Sequence, residues 1–208
     1  MARAQDAADV TAAMTAVRSR AVAGHVIAQF TLGSVLYYGG ADLAQAVTWF
    51  RKAAGQHHAA AEFQLGQLYD FGFGVGRDDA QALTWYRRAA IDGSAPAQRT
   101  VGDFYRTGRG VSADAGEAAR WYRLAADGDD LRAQFQLARM CLDGDGIPPD
   151  YAAAYLWSAI AATQTPLLDN RKAFIEMRNI AEVRLGPVAA AEAAARVVEW
   201  KPRSGSPR

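Results

Sequence analysis

The stretch Ala60-Ala61-Glu62-Phe63-Gln64-Leu65-Gly66-Gln67-Leu68-Tyr69-Asp70-Phe71-Gly72-Phe73-Gly74-Val75 leads to Asp78, then to Trp85-Tyr86-Arg87-Arg88-Ala89-Ala90 and Gly93. Its landmarks recur along the chain. Trp49, Trp85, Trp121 and Trp157 are 36 positions apart, and so are Asp42, Asp78, Asp114 and Asp150. The alanine pairs at 53-54, 89-90, 125-126 and 161-162 keep the same period. A fixed period in the range of about 20–50 residues marks a repeat array, in which each unit buries its apolar face against the next.

Within the stretch, Ala61, Leu65, Leu68 and Tyr69 fall at i, i+4, i+7 and i+8, one apolar face of a 3.6-period helix. Gly66 on that face leaves room for another helix. Ala82, Trp85, Tyr86, Ala89 and Ala90 form the face of a second helix, with the tryptophans expected in the core. Asp78 stands where a carboxylate accepts from the free amides of a helix start, and Gly93 is a stop signal. The fold class is therefore all-α, an array of helix-turn-helix repeats.

Working outward, repeat one runs from about Ile27 to Gln56, with a turn at Gly39-Gly40-Ala41-Asp42 three residues shorter than its counterparts. Repeat three covers Ala95 to Gly128 and repeat four Leu131 to Thr163. Residues 1–24 read as an N-terminal segment with a capping helix from about Asp6 to Ala23, residues 25–163 as four repeats, and residues 164–200 as C-terminal capping helices. The caps are two helices, Asn170 to Leu185 and Val188 to Trp200, broken at Gly186-Pro187. End repeats have a single neighbour, which accounts for degenerate caps. Residues 201–208, polar and proline-bearing, are expected to be disordered.

A net charge of +1 over 208 residues gives no basic field, so nucleic acid is not an expected partner. No run of 18 apolar residues occurs, so direct membrane insertion is not expected. Cys141 is the single cysteine and cannot form an intrachain disulfide. Ala2-Arg3-Ala4 has the small-x-small form of a signal-peptidase site, which leads us to expect a periplasmic protein whose export signal has been removed; the alternative is a cytoplasmic protein.

The pattern Ala-x-x-Leu-Gly-x-x-Tyr, Gly-x-Gly-Val, Asp-x-x-x-Ala-x-x-Trp-Tyr-x-x-Ala-Ala-x-x-Gly resembles the Sel-one-like (Sel1-like) repeat, a relative of the tetratricopeptide repeat. The resemblance covers about Ile27 to Thr163. It departs at the short first turn, at Ala138 in place of glycine, and at Ser158 in place of the second aromatic. It implies an α-solenoid, a right-handed superhelix whose first helices line a concave groove. It also implies a non-enzymatic adaptor or accessory subunit, often in complexes at or beyond the bacterial inner membrane. Cysteine-rich relatives linked to beta-lactam binding or hydrolysis pair two cysteines per repeat, so a single Cys141 disfavours that branch.

No cofactor, metal or catalytic residue is expected. Gly72-Phe73-Gly74-Val75-Gly76 follows a helix and recurs at Gly108 and Gly144, so it reads as a turn, not a phosphate loop. Cys141 falls 36 after Tyr105, at a core position. His57 and His58 point about 100° apart on a helix, do not chelate together easily, and read as a solvated turn.

The face left for binding lies on the first helices, two residues (roughly 200°) from the core stripe. It comprises Phe30, Tyr37 and Tyr38 in repeat one, Phe63, Gln67, Asp70 and Phe71 in repeat two, Arg99, Asp103 and Arg106 in repeat three, and Arg132, Phe135 and Arg139 in repeat four. Aromatics and arginine dominate interface hot spots. The expected partner is another protein, a peptide segment or helix apolar at one end and acidic at the other, held in a larger or membrane-associated complex. A competing reading packs Phe30, Phe63 and Phe135 against neighbouring repeats. Two functional alternatives are a beta-lactamase-like or cell-wall-binding repeat protein, and a structural subunit docking by its caps or convex face.

Overall fold

The computed structural model describes residues 2–40, 42–165 and 168–202. Eleven helices and no strand occur among them, and the fold is an all-α solenoid of helical repeats. The helices are α1 (Ala2–Val22), α2 (Val26–Tyr38), α3 (Leu43–Ala54), α4 (Ala59–Phe71), α5 (Asp79–Ile91), α6 (Ala95–Thr107), α7 (Ala115–Asp127), α8 (Leu131–Asp143), α9 (Tyr151–Gln164), α10 (Leu168–Leu185) and α11 (Pro187–Glu199). The chain divides into two compact units, residues 1–92 and 93–208. The expected disorder of the C-terminal tail concerns residues that, from 203 onward, lie outside the described ones.

In the first unit, α2 pairs with α3 and α4 with α5, while α1 covers α2 and α3 packs on α4. Ala46, Val47, Phe50, Ala53 and Ala54 of α3 meet Ala61, Leu65 and Leu68 of α4 in one buried cluster. In the second unit, α6 pairs with α7 and α8 with α9, and both α10 and α11 pack on α9. Its core runs from Ala118 and Tyr122 through Leu137, Met140 and Trp157 to Phe174, Met177 and Ala181.

The Asp period explains the second helices. Asp42, Asp78, Asp114 and Asp150 are the N-caps of α3, α5, α7 and α9, each accepting from the backbone N–H three residues on. Such caps are worth about 1 kcal/mol each. The helix-to-helix turns begin with left-handed glycines: Gly72, Gly108 and Gly144 have φ of 75°, 69° and 70°. The second glycine of the turn also permits a close approach, because a Cβ on Gly74 would lie 2.7 Å from the Leu43 carbonyl oxygen at the start of α3.

The expectation that the tryptophans form the core is corrected. Trp49, Trp85 and Trp121 are only half-buried, and the fully buried rings are their neighbours Phe50 (0 % exposed), Tyr86 (2 %) and Tyr122 (0 %). One residue turns the side chain by about 100°. The second aromatic therefore points across the helix pair onto the glycine of the first helix. A Cβ on Gly33, Gly66 or Gly102 would come within 2.9 Å, 2.5 Å and 2.8 Å of Phe50, Tyr86 and Tyr122 respectively. Trp49 and Trp85 pack sideways, onto the α1/α2 and α3/α4 clusters, with Lys52 and Arg88 over their outer faces at 4.2 Å and 4.7 Å.

Repeat four inverts this arrangement. Ala138 replaces the glycine and Ser158 the ring, so the two sequence departures are one compensated change: without the ring, the methyl fits. The Ser158 hydroxyl donates to the Ala154 carbonyl at 2.6 Å. Trp157 takes over as the core ring, 2 % exposed, because α10 and α11 cover α9 and Trp200 meets it edge-on at 6.2 Å.

His58 is not a solvated turn residue. It is the N-cap of α4, its Nδ1 accepting from Ala61 N–H at 3.2 Å and its ring stacked on Phe30 at 4.6 Å. Burial holds its imidazolium below the ordinary range. A depressed folded value means the stabilising contribution is full above about pH 6.5 and is lost as pH falls through the folded value, since a protonated Nδ1 cannot accept. We expect wild type to lose stability more steeply than His58→Asn on acidification below pH about 6.5. Denaturant midpoints measured across pH 5–8 would check this, and parallel curves would refute it.

Candidate functional site

The expected binding stripe does lie on the first helices, but its members have different fates. In the first unit, Phe30 and Phe63 are half-buried by ring contacts: Phe30 to Phe50 at 5.8 Å, and Phe63 to Tyr86 at 5.4 Å. Both rings pack, but these contacts are with the second helix of their own repeat, whose bulky ring extends past its glycine and meets them; Phe30 in addition stacks on His58 at the start of the next repeat. Tyr37 is half-buried on the α3/α4 cluster with Tyr38 edge-on at 4.9 Å. Tyr38 and Phe71 are exposed, at 73 % and 59 %. Gln67 is partly exposed, and Asp70 accepts from the Tyr86 hydroxyl at 3.3 Å. Sequence reading missed Phe73, 44 % exposed and stacked on Phe71 at 5.8 Å; it sits in the turn, outside any helical period.

In the second unit, the charged residues of α6 are engaged within the fold. Arg99 is partly buried and bridges two carboxylates, Asp103 at 3.1 Å and Asp130 at 3.3 Å. The buried Tyr122 hydroxyl donates to Asp103 at 2.7 Å and accepts from Arg106 Nε at 3.2 Å. Burial, then the bond to Asp103, push the Tyr122 phenol upward, while its hydroxyl holds the Arg106 guanidinium above its usual range. The picture of Arg99 and Arg106 as free cations for an acidic partner is thus corrected. Tyr122 reaches them because its ring is seated on Gly102. Arg132 is exposed and Arg139 half-buried, and neither forms an ion pair among the described residues.

These residues frame a pocket of about 440 Å³ between α6, α8 and α10. Arg99, Asp103 and Arg132 supply charge, Leu131, Phe135, Ala173 and Phe174 supply the apolar surface, and Gln136 completes the lining. Phe135 meets Phe174 edge-on at 5.6 Å, so it both packs and lines. Ala173 and Phe174 were missed as site residues, although a signal existed: they stand 36 positions after Leu137-Ala138. α10 therefore takes the place of a fifth first helix and closes the pocket.

Cys141 is 2 % exposed, and its thiol is pushed up to about 11, chiefly by burial. Little thiolate forms at neutral pH, so it is a core residue, not a nucleophile. No helix among the described residues is long and apolar enough to cross a membrane.

The Sel1 repeat, as a sequence family, matches this chain four times, over residues 26–58, 59–94, 95–130 and 131–166. The crystal structure of a Sel1 repeat protein from Oxalobacter formigenes is similar, with a TM-score of 0.70 and 35 % identity, covering 90 % of this chain and 76 % of that one. The structure of c5321, a protective antigen present in uropathogenic Escherichia coli strains and displaying an SLR fold, matches at 28 % identity. That match has a TM-score of 0.47 and covers 94 % of this chain and 52 % of that one. No curated protein sequence gives a significant match.

Proposed function

The chain belongs to the Sel1 repeat family, and from that premise we propose that it is a non-enzymatic adaptor or accessory subunit that holds a segment of a partner protein on the inner face of its first helices. Sel1 repeats are typically protein–protein interaction modules, and proteins built from them are generally non-catalytic scaffolds. The observation that carries the finer reading is the pocket between α6, α8 and α10, where Phe135, Phe174 and Leu131 form an apolar floor beside the exposed Arg132. An apolar anchor with an acidic neighbour fits such a site, because arginine and aromatics form the strongest interface contacts. The exposed Tyr38, Phe71 and Phe73 extend the reading to an apolar contact on the first unit. Assembly into a larger or membrane-associated complex and a periplasmic location belong to this proposal; fractionation of the native source with a specific antibody tests the location.

The partner is identified by crosslinking and co-purification from the native source, and its affinity is then measured for variants. Arg132→Glu and Arg139→Glu are each expected to weaken binding about tenfold or more, a loss of roughly 1.4 kcal/mol or more. Arg106 is unsuitable for this test, since reversing its charge also breaks the Tyr122 contact. Arg132→Glu tests the pocket and Arg139→Glu the rest of the α8 stripe, so unchanged affinity in both would remove that face from consideration. It would favour docking through the C-terminal cap, where Val183, Val188 and Val198 are 82 %, 75 % and 86 % exposed.

A further inference from the structure

The first unit gathers three ligand-bearing side chains from separate parts of the chain. His57 lies in the turn after α3, Glu62 in the first turn of α4, and Asp92 is the C-cap of α5. One nitrogen of His57 and one carboxylate oxygen each of Glu62 and Asp92 all lie within 4.8 Å of one another. The adjacent pair His57-His58 suggested no such site, because the third and decisive member, Asp92, is brought in only by the packing of α5 on α4.

Glu62 is the anomaly. It is 1 % exposed, and its Oε2 has no hydrogen-bond partner. At the corresponding position the other repeats carry Gln29, Gln98 and Gln134. There the amide has a structural task. Gln29 Nε2 donates to the Ala21 carbonyl at 3.2 Å and Gln134 Nε2 to the Ala126 carbonyl at 3.4 Å, each eight residues back at the end of the preceding helix. A carboxylate cannot donate. Glu62 has therefore exchanged a buried donor for a carboxyl group beside a second acid; burial, then the charge of Asp92 and a side-chain hydrogen bond with it, push the Glu62 carboxyl upward. Arg88, which opposes that shift, has its guanidinium 4.7 Å from the Trp85 ring centroid. His57 stands at φ 59° at the inter-repeat junction, a position held by Gly24 and Gly93 in two other junctions and by Asp129, at φ 67°, in the last.

We infer that His57, Glu62 and Asp92 bind a divalent cation of the Zn²⁺ class. One imidazole nitrogen and two carboxylate oxygens suit that ion, and water can complete the coordination because His57 and Asp92 are exposed. The site lies beside the C-terminal ends of α3 and α5, whose dipoles favour a cation and oppose that of the α4 N-terminus, where Glu62 sits. A bound ion would compensate the buried Glu62 carboxylate, one of whose oxygens, Oε2, has no hydrogen-bond partner. It clamps the α3–α4 turn to the end of α5, bracing the second repeat independently of the pocket on α6, α8 and α10.

The full chain, stripped with chelator, is titrated with ZnCl₂ and, in parallel, MgCl₂, with equilibrium dialysis and thermal unfolding as readouts. Wild type is expected to take up one Zn²⁺ per chain and to unfold at a higher temperature when loaded. Glu62→Gln restores the residue used by the other repeats, so it should fold without metal while losing both the uptake and the shift. Asp92→Asn should lose them as well, whereas His58→Asn should keep them. Absence of stoichiometric zinc uptake by wild type, retention of uptake by Glu62→Gln, or preference for Mg²⁺ would overturn the assignment.

Discussion

Trp157→Ala is expected to destabilise the protein by about 3–5 kcal/mol, the range for deleting a buried tryptophan, whereas Trp85→Ala should cost roughly 1–2 kcal/mol. The two residues occupy the same place in the repeat, 36 × 2 positions apart. Their neighbours differ. Trp157 is 2 % exposed, roofed by α10 and α11 and met by Trp200, while Trp85 is half-buried beneath the Arg88 guanidinium. Its ring keeps that partial exposure in the native state, so less apolar area returns to water on truncation. Denaturant midpoints with the slope monitored for each variant would check the difference. Equal losses would mean that the caps contribute nothing to the burial of Trp157.

Gly66→Ala is expected to cost about 1–3 kcal/mol, the usual penalty for overpacking, although alanine is the better helix former. The new methyl would lie 2.5 Å from the Tyr86 ring, and that ring is fixed by its own burial and by the hydroxyl contact to Asp70. Tyr86→Ser removes the obstacle and recreates the pairing seen at Ala138 and Ser158. In that background the same Gly66→Ala substitution should become neutral or stabilise by up to about 1 kcal/mol, the helix-propensity gain. A double-mutant cycle measures the coupling between the two sites. If Gly66→Ala has the same effect with and without the Tyr86 ring, the glycine–ring contact does not explain the repeat.

Much of the architecture was legible in the residues because it is enforced locally. Asp42, Asp78, Asp114 and Asp150 cap helices through amides three residues away, and the turn glycines adopt a φ that other residues resist. Helix ends were placed less well: α1 begins at Ala2 instead of near Asp6, and α10 at Leu168 instead of Asn170. Propensity decays gradually along alanine-rich sequence, so the period fixes where a helix lies better than where it stops.

The proposed binding face was legible only as a stripe. Periodicity placed Arg99, Asp103, Arg106, Phe135 and their counterparts on one side of the first helices, but could not show what each side chain already touches. Arg99 is held by Asp130, 31 residues away, and Arg106 by a tyrosine from the following helix. Phe174 enters the pocket from a helix whose sequence no longer follows the repeat.

The sequence by itself determined the period, the all-α class, the Asp-capped starts of the second helices and the turns, since caps, glycine φ and apolar spacing act within a few residues. Tertiary structure alone decided which ring of each aromatic pair is core, which arginines already have partners within the fold, and that His57, Glu62 and Asp92 share one place. Those outcomes depend on distances between residues 16 to 35 or more positions apart, set by how one helix rotates against another. A rotation of about 100° separates the buried ring of Phe50, Tyr86 or Tyr122 from the half-buried tryptophan beside it.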